Sequence, residues 1–323
     1  MTSISTSIIL VQSPDRSYHF PDAFPKVFRL VGLEVVRQGE MCRCRAHLYH
    51  RLLAMHVTWH APEVSAELRV GELVRPGFPV FVDTEDGDLV VSGLMIAHEP
   101  ERSLNLFDTV RPEQSGQPEL IERARILVEQ LSPGYRHLFN AVFWDQRRFA
   151  RFLRQPGSVT NHHAEPGGLL MHTVDTAEIA LKQCERSTSA NRDLVLIGAL
   201  LHDAGKADEY LLKPNGKPAM TDRGRLIGHV VTATEWVAVA FAKFAVDLSD
   251  EMYRALIHVL NARKGVPEWV GVRTPVMIEC DIVSEADRLS GRINMHERLA
   301  DPGGGWGKRH PHRPAPFTLP KPD

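Results

Sequence analysis

The chain has 323 residues, 43% of them hydrophobic and 24% charged, with 38 Lys and Arg against 40 Asp and Glu. The formal charge of −2 excludes a highly basic nucleic-acid coat protein, while a local basic groove stays open because steering depends on where charges sit. At ~100–200 residues per domain this length suggests two domains, each able to bury a core. Cys42, Cys44, Cys184 and Cys280 form no CxxC spacing, so a zinc knuckle or thioredoxin-like motif has no support; small buried thiols in a reducing cytoplasm are expected. The N-terminus lacks the basic start and long apolar stretch of a signal peptide. No apolar run reaches the ~18 residues of a membrane span. A soluble cytoplasmic protein with no membrane partner is expected.

Residues 1–26 read as irregular, interrupted by Pro14, Pro21 and Pro25. β character begins with VFRLVGLEVVR (27–37), rich in β-branched residues and closed by the turn QGE. In MCRCRAHLY (41–49) strict alternation sets Cys42, Cys44, Ala46 and Leu48 on one face and Met41, Arg43, Arg45, His47 and Tyr49 on the other. RLLAMHVTW (51–59), FPVFVD (78–83) and DLVVSGLMIA (88–97) read as further strands. Five or so short strands predict a small barrel or sandwich. The outward Arg43, Arg45, His47 and Tyr49, with Arg51 and Trp59 on the next strand, mix cations and aromatics as a surface for single-stranded nucleic acid would. A solvated face with Trp59 in the core is the plainer alternative.

Pro112, Ser115, Gly116 and Pro118 mark a linker. PELIERARILVEQL then has helical spacing, and GYRHLFNAVFWDQRRFARFLR reads as one or two amphipathic helices whose polar side carries Arg147, Arg148, Arg151 and Arg154. Beyond Gly167 nearly everything reads as helix: 169–185, 193–212, 227–244, 249–264 and 275–293. Asp193 and Ser249 are the expected N-caps of the second and fourth. The tail, DPGGGWGKRHPHRPAPFTLPKPD, is either a flexible end or an extended strap.

The chemistry concentrates in LLHDAGK. Ile197, Leu200 and Leu201 make an apolar face, and burying the adjacent His202-Asp203 pair is costly unless it is partnered or binds a metal. An imidazole and a carboxylate side by side suit a divalent transition ion. Gly205 leaves room for a ligand, and Lys206 can meet a phosphate as a point charge. His172, His229, His258 and Asp287 each interrupt another apolar helix stripe. One such histidine is usually a satisfied core residue; the order His, His-Asp, His, His, Asp over five successive helices is hard to assign to packing alone.

That order resembles the HD superfamily of metal-dependent phosphohydrolases. NHHAEPGGLLMHT, NRDLVLIGALLHDAGKADEY, TDRGRLIGHVV, Glu268-Trp269, EADRLSGRINM and the ending with Trp306 and PFTLPKP are similar to YhaM-type 3′–5′ exoribonucleases, in which an oligonucleotide-binding (OB) barrel precedes the HD domain. The resemblance is specific over residues 158–297 and architectural over the first 105. It implies an α+β multidomain chain: an OB-like β-barrel over 1–105 that binds nucleic acid, a helical connector over 106–157, an all-α HD domain over 158–297 and a Pro/Gly-rich tail over 298–323. It implies a divalent metal, manganese first and iron, nickel, cobalt or zinc also suited, held by His172, His202, Asp203 and Asp287. His229 and His258 would serve a second metal or the phosphate pocket, and Lys206 would contact the scissile phosphate; Asp203, Lys206, His229 and His258 are thus the expected catalytic set. His162 and His163 would either line the substrate entrance or satisfy loop backbone groups. The family usually carries a His-His pair where this chain has Arg263 and Lys264. Either the second metal site is lost or weakened, with fixed positive charge neutralising phosphate, or the enzyme has drifted in activity or become a binding protein.

The implied activity is metal-dependent 3′–5′ exonuclease action on single-stranded RNA, and on DNA as an extension, by an assembly of several copies. Two rivals are a phosphohydrolase of small nucleotides and a non-catalytic nucleic-acid-binding component of a mobile-element or relaxase-like system.

Overall fold

The computed structural model describes residues 11–12, 18–19, 25–77, 81–82, 88–112, 116–262, 273–311 and 313–319. The chain divides into two units, Met1–Arg125 and Ile126–Asp323.

In the first unit, β1 (Val11–Gln12) pairs antiparallel with β2 (Tyr18–His19), an ordered pairing within a stretch that reads as irregular. The main sheet is built from β3 (Phe28–Gln38), β4 (Met41–His50), β5 (Leu53–Ala61), β6 (Leu73–Pro76), β7 (Phe81–Val82), β8 (Leu89–Val90) and β9 (Leu94–Ile96). Its order is β7-β8-β5-β4-β3-β6-β9, with β5 and β8 parallel and the other pairs antiparallel. β3 and β4 meet through Gly39-Glu40, where Gly39 takes a φ of +64° that a two-residue hairpin turn demands. A bulge between Leu30 and Gly32 interrupts the β3–β4 ladder, and on its other edge the start of β3, Phe28 and Arg29, pairs with β6. Among the described residues β7 and β9 are edges, so the OB-like sheet is a curled half-barrel rather than a closed cylinder.

Alternation sorts the β4 side chains as the sequence requires. Cys42, Cys44, Ala46 and Leu48 enter a core with Phe28, Leu30, Met55, Val57, Val74 and Leu89. Trp59 joins that core, which resolves its two readings against a base-stacking role. Burial of each such large side chain contributes about 1.5–3 kcal/mol. Arg29 is a charge held inside: its guanidinium donates to the Thr109 carbonyl (2.9 Å), Thr109 Oγ1 (2.7 Å) and the Gly71 carbonyl (2.7 Å), and burial lowers its pKa to about 10.

Two strand readings change. β6 has no counterpart among the predicted strands, and DLVVSGLMIA is two strands rather than one. Gly93, at φ +156°, breaks the run between β8, which pairs with β5 and β7, and β9, which pairs with β6.

The second unit is helical. The first helix, α1 (Pro118–Glu129), crosses the boundary and is followed by α2 (Pro133–Phe143), α3 (Gln146–Arg154), α4 (Gly168–Cys184), α5 (Arg192–Leu201), α6 (Lys206–Glu209), α7 (Asp222–Leu226), α8 (His229–Lys243), α9 (Asp250–Asn261) and α10 (Ile278–Leu299). The arginine-rich stretch is two helices, because the Asp145 side chain accepts from the Arg148 amide and starts α3 afresh. Two of its arginines are committed internally: Arg148 stacks 4.2 Å over the Trp236 ring and Arg151 pairs with Asp208. Ser249 caps α9 as expected. Asn191, not Asp193, caps α5: its side chain accepts from the Leu194 amide, leaving Asp193 in the first turn.

The predicted helix over 193–212 is also shorter. It ends at Leu201, and after α6 the chain turns into β10 (Tyr210–Leu212), paired with β11 (Pro218–Met220). Glu-Tyr-Leu-Leu continues a helical pattern, but Gly216 at φ +73° closes a hairpin that only tertiary pairing selects. The long α10 packs on α4 and α5. In the tail, β12 (Gly305–Trp306) pairs with β13 (Phe317–Thr318), with Trp306 edge-on to Phe317 at 5.3 Å. No helix among the described residues is long and apolar enough to cross a membrane.

All four cysteines are buried and unbridged, and burial raises the thiol pKa of Cys44, Cys184 and Cys280, the last to about 11. A thiol reagent at pH 8 should therefore modify none of the four in the native protein within minutes and all four in guanidinium. Rapid native labelling of Cys280 would contradict this packing.

Candidate metal centre

Three separate elements deliver four side chains to one point. His172 comes from the second turn of α4, His202 and Asp203 from the C-terminal end of α5, and Asp287 from the middle of α10. The apolar faces of these helices pack together and leave the polar interruptions nowhere to go but toward one another. One ligand atom from each of the four lies within 4.8 Å of the others. His172 Nε2 stands 3.3 Å from Asp203 Oδ2, 3.1 Å from Asp287 Oδ1 and 3.4 Å from His202 Nε2. His202 Nε2 is 3.5 Å from Asp203 Oδ2 and 3.9 Å from Asp287 Oδ1. Nitrogen and oxygen ligands bound at ~2.0–2.2 Å to one ion stand roughly 3.0–3.6 Å apart, so the set fits a divalent ion with little movement.

The hydrogen bonds behind the cluster agree. His202 Nδ1 faces the Ala199 carbonyl at 2.7 Å. A carbonyl only accepts, so the ring hydrogen sits on Nδ1 and the Nε2 lone pair faces the cluster. Ser290 Oγ, 3.0 Å from His172 Nδ1, can hold that ring the same way. Two imidazoles and two carboxylates thus converge, a donor set suited to a transition ion.

The charges respond to this crowding. Burial opposes ionisation of Asp203, yet Lys206 and His202 hold its pKa well below the usual carboxylate value. Burial works against protonation of His172, but the Asp203 and Asp287 carboxylates raise it above the ordinary imidazole value. Asp287 is likewise lowered despite burial, chiefly by the His172 hydrogen bond. Lys206 is itself buried and its Nζ donates to Asp203 Oδ2 at 2.5 Å.

His229, the first residue of α8, stands on the other side of the same carboxylate, its Nε2 3.4 Å from Asp203 Oδ1. Its Nδ1 is 2.8 Å from Glu209 Oε2, a buried carboxylate outside the set predicted from the sequence. Gly205 makes this approach feasible: a Cβ there would lie 2.1 Å from the His229 carbonyl oxygen. The space expected for a ligand is instead filled by the start of α8.

His162 and His163 belong to a loop pinned to α10. The His163 amide donates to Asn294 Oδ1 at 2.9 Å, Arg298 donates to the Asn161 carbonyl at 2.6 Å, and Gly291 leaves the space that the His162 ring occupies. Both rings lie about 5 Å from that of His172 (5.0 and 5.2 Å), and burial lowers their pKa values to about 4 and about 3. His258 lies on α9, where its Nε2 accepts from the Val276 amide at 3.3 Å. Arg263, Lys264, Glu268 and Trp269 lie outside the described residues. In the first unit, Arg43, Arg45 and Tyr49 share the outward face of β4, opposite His60, Thr58 and Ala54 of β5. Arg45 is partly committed, forked onto the buried Asp88 at 2.8 and 3.2 Å.

The family model described as HD domain matches residues 169–292, the stretch that carries all four converging ligands. Residues 169–292 are an HD domain. The chain is similar to curated relatives named 3′-5′ exoribonuclease YhaM. The protein from Bacillus licheniformis is 31% identical over 150 residues, that from Shouchella clausii 31% over 150, and that from Bacillus subtilis 28% over 159. These alignments cover 46% of both chains in the first two cases and 49% of both in the third. The chain thus spans about half the length of the curated relatives it matches. No solved structure matches it.

Divalent ions should raise the melting temperature of this HD domain. At a concentration 100-fold above Kd the gain is about 2.7 kcal/mol. Differential scanning fluorimetry with manganese or zinc should show the shift, and Asp203→Asn, His172→Gln and Asp287→Asn should each abolish it. Elemental analysis should find bound metal in the wild type and little in these variants. An undiminished shift in all three would place the ion elsewhere.

Gly205→Ala tests the packing behind the site. It should cost about 1–3 kcal/mol in urea denaturation, because the added methyl group meets backbone rather than a movable side chain. Wild-type stability would show that α8 can move away without penalty.

Proposed function

We propose that this chain is a metal-dependent phosphodiesterase that shortens single-stranded nucleic acid, RNA first, from its 3′ end. The observation that carries this reading is the convergence of His172, His202, Asp203 and Asp287 within an HD domain, with the His202 ring hydrogen turned away from the centre. Polarity and substrate come from the relatives, which are named 3′-5′ exoribonucleases.

His172, His202, Asp203 and Asp287 would hold the ion, with manganese the first candidate and iron, nickel, cobalt or zinc equally compatible with the donors. When bound, such an ion supplies Lewis acidity that activates water and neutralises phosphoryl charge. The rest falls to the chain. Lys206, already buried beside Asp203, offers an ammonium for a phosphate oxygen. His229 presents Nε2 at the rim of the centre, where it could exchange a proton or join His258 at a second cation or phosphate position. Arg263 and Lys264 would add fixed positive charge to that position. His162 would face the substrate, with His163 supporting it from beneath.

The outward face of β4 and β5 supports a role for the N-terminal unit in holding the strand. Arg43, Tyr49 and the stacked pair His47–His56, whose ring centroids are 4.5 Å apart, interleave cations with flat rings. Each base stacked on an aromatic ring is worth ~1–3 kcal/mol. Tyr49→Ala combined with Arg43→Ala should raise KM for long single-stranded RNA by roughly 5- to 100-fold and leave kcat for a dinucleotide unchanged. Equal KM values would remove this face from substrate binding.

The deciding assay uses 5′-labelled single-stranded RNA, single-stranded DNA and free nucleotides, with manganese or with chelator. A ladder shortening from the 3′ end, absent with chelator and in Asp203→Ala, is the expected result. Turnover of free nucleotides alone would replace the reading with a nucleotide phosphohydrolase. Binding without turnover in any metal would replace it with a non-catalytic nucleic-acid-binding role.

A further inference from the structure

We propose that Glu209 is a positioning residue: its buried carboxylate accepts the Nδ1 hydrogen of His229 and thereby fixes Nε2 toward Asp203 at the rim of the metal centre. Glu209 ends α6, six residues beyond Asp203, and only 6% of it is exposed. A carboxylate in such a place costs several kcal/mol unless hydrogen bonds replace its water. His229 provides one at 2.8 Å. Glu209 is not among the four converging ligands, so its burial serves something other than direct coordination.

The surrounding backbone is shaped around this contact. The Thr221 amide donates to the Glu209 carbonyl at 2.9 Å, and Thr221 also caps α7. A Cβ at Gly224 would lie 2.7 Å from Glu209 Cγ, so α7 can close over the side chain only with glycine there. Gly205 brings the first residue of α8 down onto the start of α6 from the other direction. Two close approaches at bare backbone thus converge on one hydrogen bond. The bond selects a tautomer: with Nδ1 donating to a carboxylate, the Nε2 lone pair of a neutral ring is free for a cation or a proton. Nε2 and Asp203 Oδ1, two electron-rich atoms 3.4 Å apart, then form one edge of a site that favours positive charge between them.

The kinetic half of the test rests on the proposed phosphodiesterase reading; the spectroscopic half does not. The full chain, labelled with 15N at histidine and loaded with diamagnetic zinc, is examined for the ring nitrogens of His229, assigned by their loss in His229→Gln. A protonated Nδ1 in the wild type, lost or exchanging in Glu209→Ala, is expected. A bare Nδ1 with the hydrogen on Nε2 in the wild type would overturn the proposal. On single-stranded RNA, Glu209→Ala should lower kcat by roughly 10- to 100-fold and keep KM within about twofold, as loss of an orienting partner does. In a His229→Gln background the same substitution should cost nothing more. An unchanged kcat, or a loss that multiplies in full in the double variant, would sink the idea. If the wild type hydrolyses no nucleic acid, the phosphodiesterase reading falls, and the nitrogen spectrum alone decides the role of Glu209.

Discussion

The second unit is organised around a carboxylate that should not be buried. Asp203 sits at the C-terminal end of an apolar helix, where an isolated charge would cost several kcal/mol. Both of its oxygens are engaged. Oδ2 meets Lys206, His172 and His202, while Oδ1 meets His229. Every element that touches the centre is held, directly or through one neighbour, by its relation to this side chain. The same fact explains why the helices around it are so apolar elsewhere: the core must supply the stability that the polar centre does not.

Around Asp203 the polar groups form two layers with different duties. The inner layer consists of electron-pair donors aimed at one point. The outer layer consists of Ala199, Ser290 and Glu209, which occupy the far nitrogens of His202, His172 and His229. Each outer contact comes from a different local device: a helix carbonyl three residues back, a hydroxyl one turn along α10, and a carboxylate at the end of a four-residue helix. The result is a set of rings whose orientation is settled before any ligand arrives, a condition for a site that performs chemistry instead of merely tolerating charge.

Much of this was legible in the chain because polar interruptions of apolar helices are visible one residue at a time. His172, His202, Asp203 and Asp287 each break a hydrophobic stripe, and the structure brings them together. The alternation in β4 was equally plain, since a sheet with one buried face leaves a period of two. What could not be read depends on pairs distant in sequence or on competing local patterns. Glu209 carries no signal of its own in the sequence, because its burial depends on β10 and β11 forming and on α7 closing over it. Gly205 reads as space for a ligand, but that space is claimed by the backbone of α8. Arg45 reads as a free cation of a binding face, whereas Asp88, 43 residues away, takes part of its charge. The break between β8 and β9 rests on the backbone angle of one glycine, which composition alone does not reveal.

The face of α10 has a mechanical consequence. In little more than three turns it carries Asp287 for the centre, Ser290 against His172, Gly291 under His162, Asn294 on the His163 amide and Arg298 on the Asn161 carbonyl. These teeth engage two different parts of the molecule, the ion cage and the double-histidine loop, from one rigid rod. A slide of α10 along its axis by a single turn, about 5.4 Å, would disengage all five together. Cage and loop are therefore geared: neither can be rebuilt in a new register unless the other shifts by the same step.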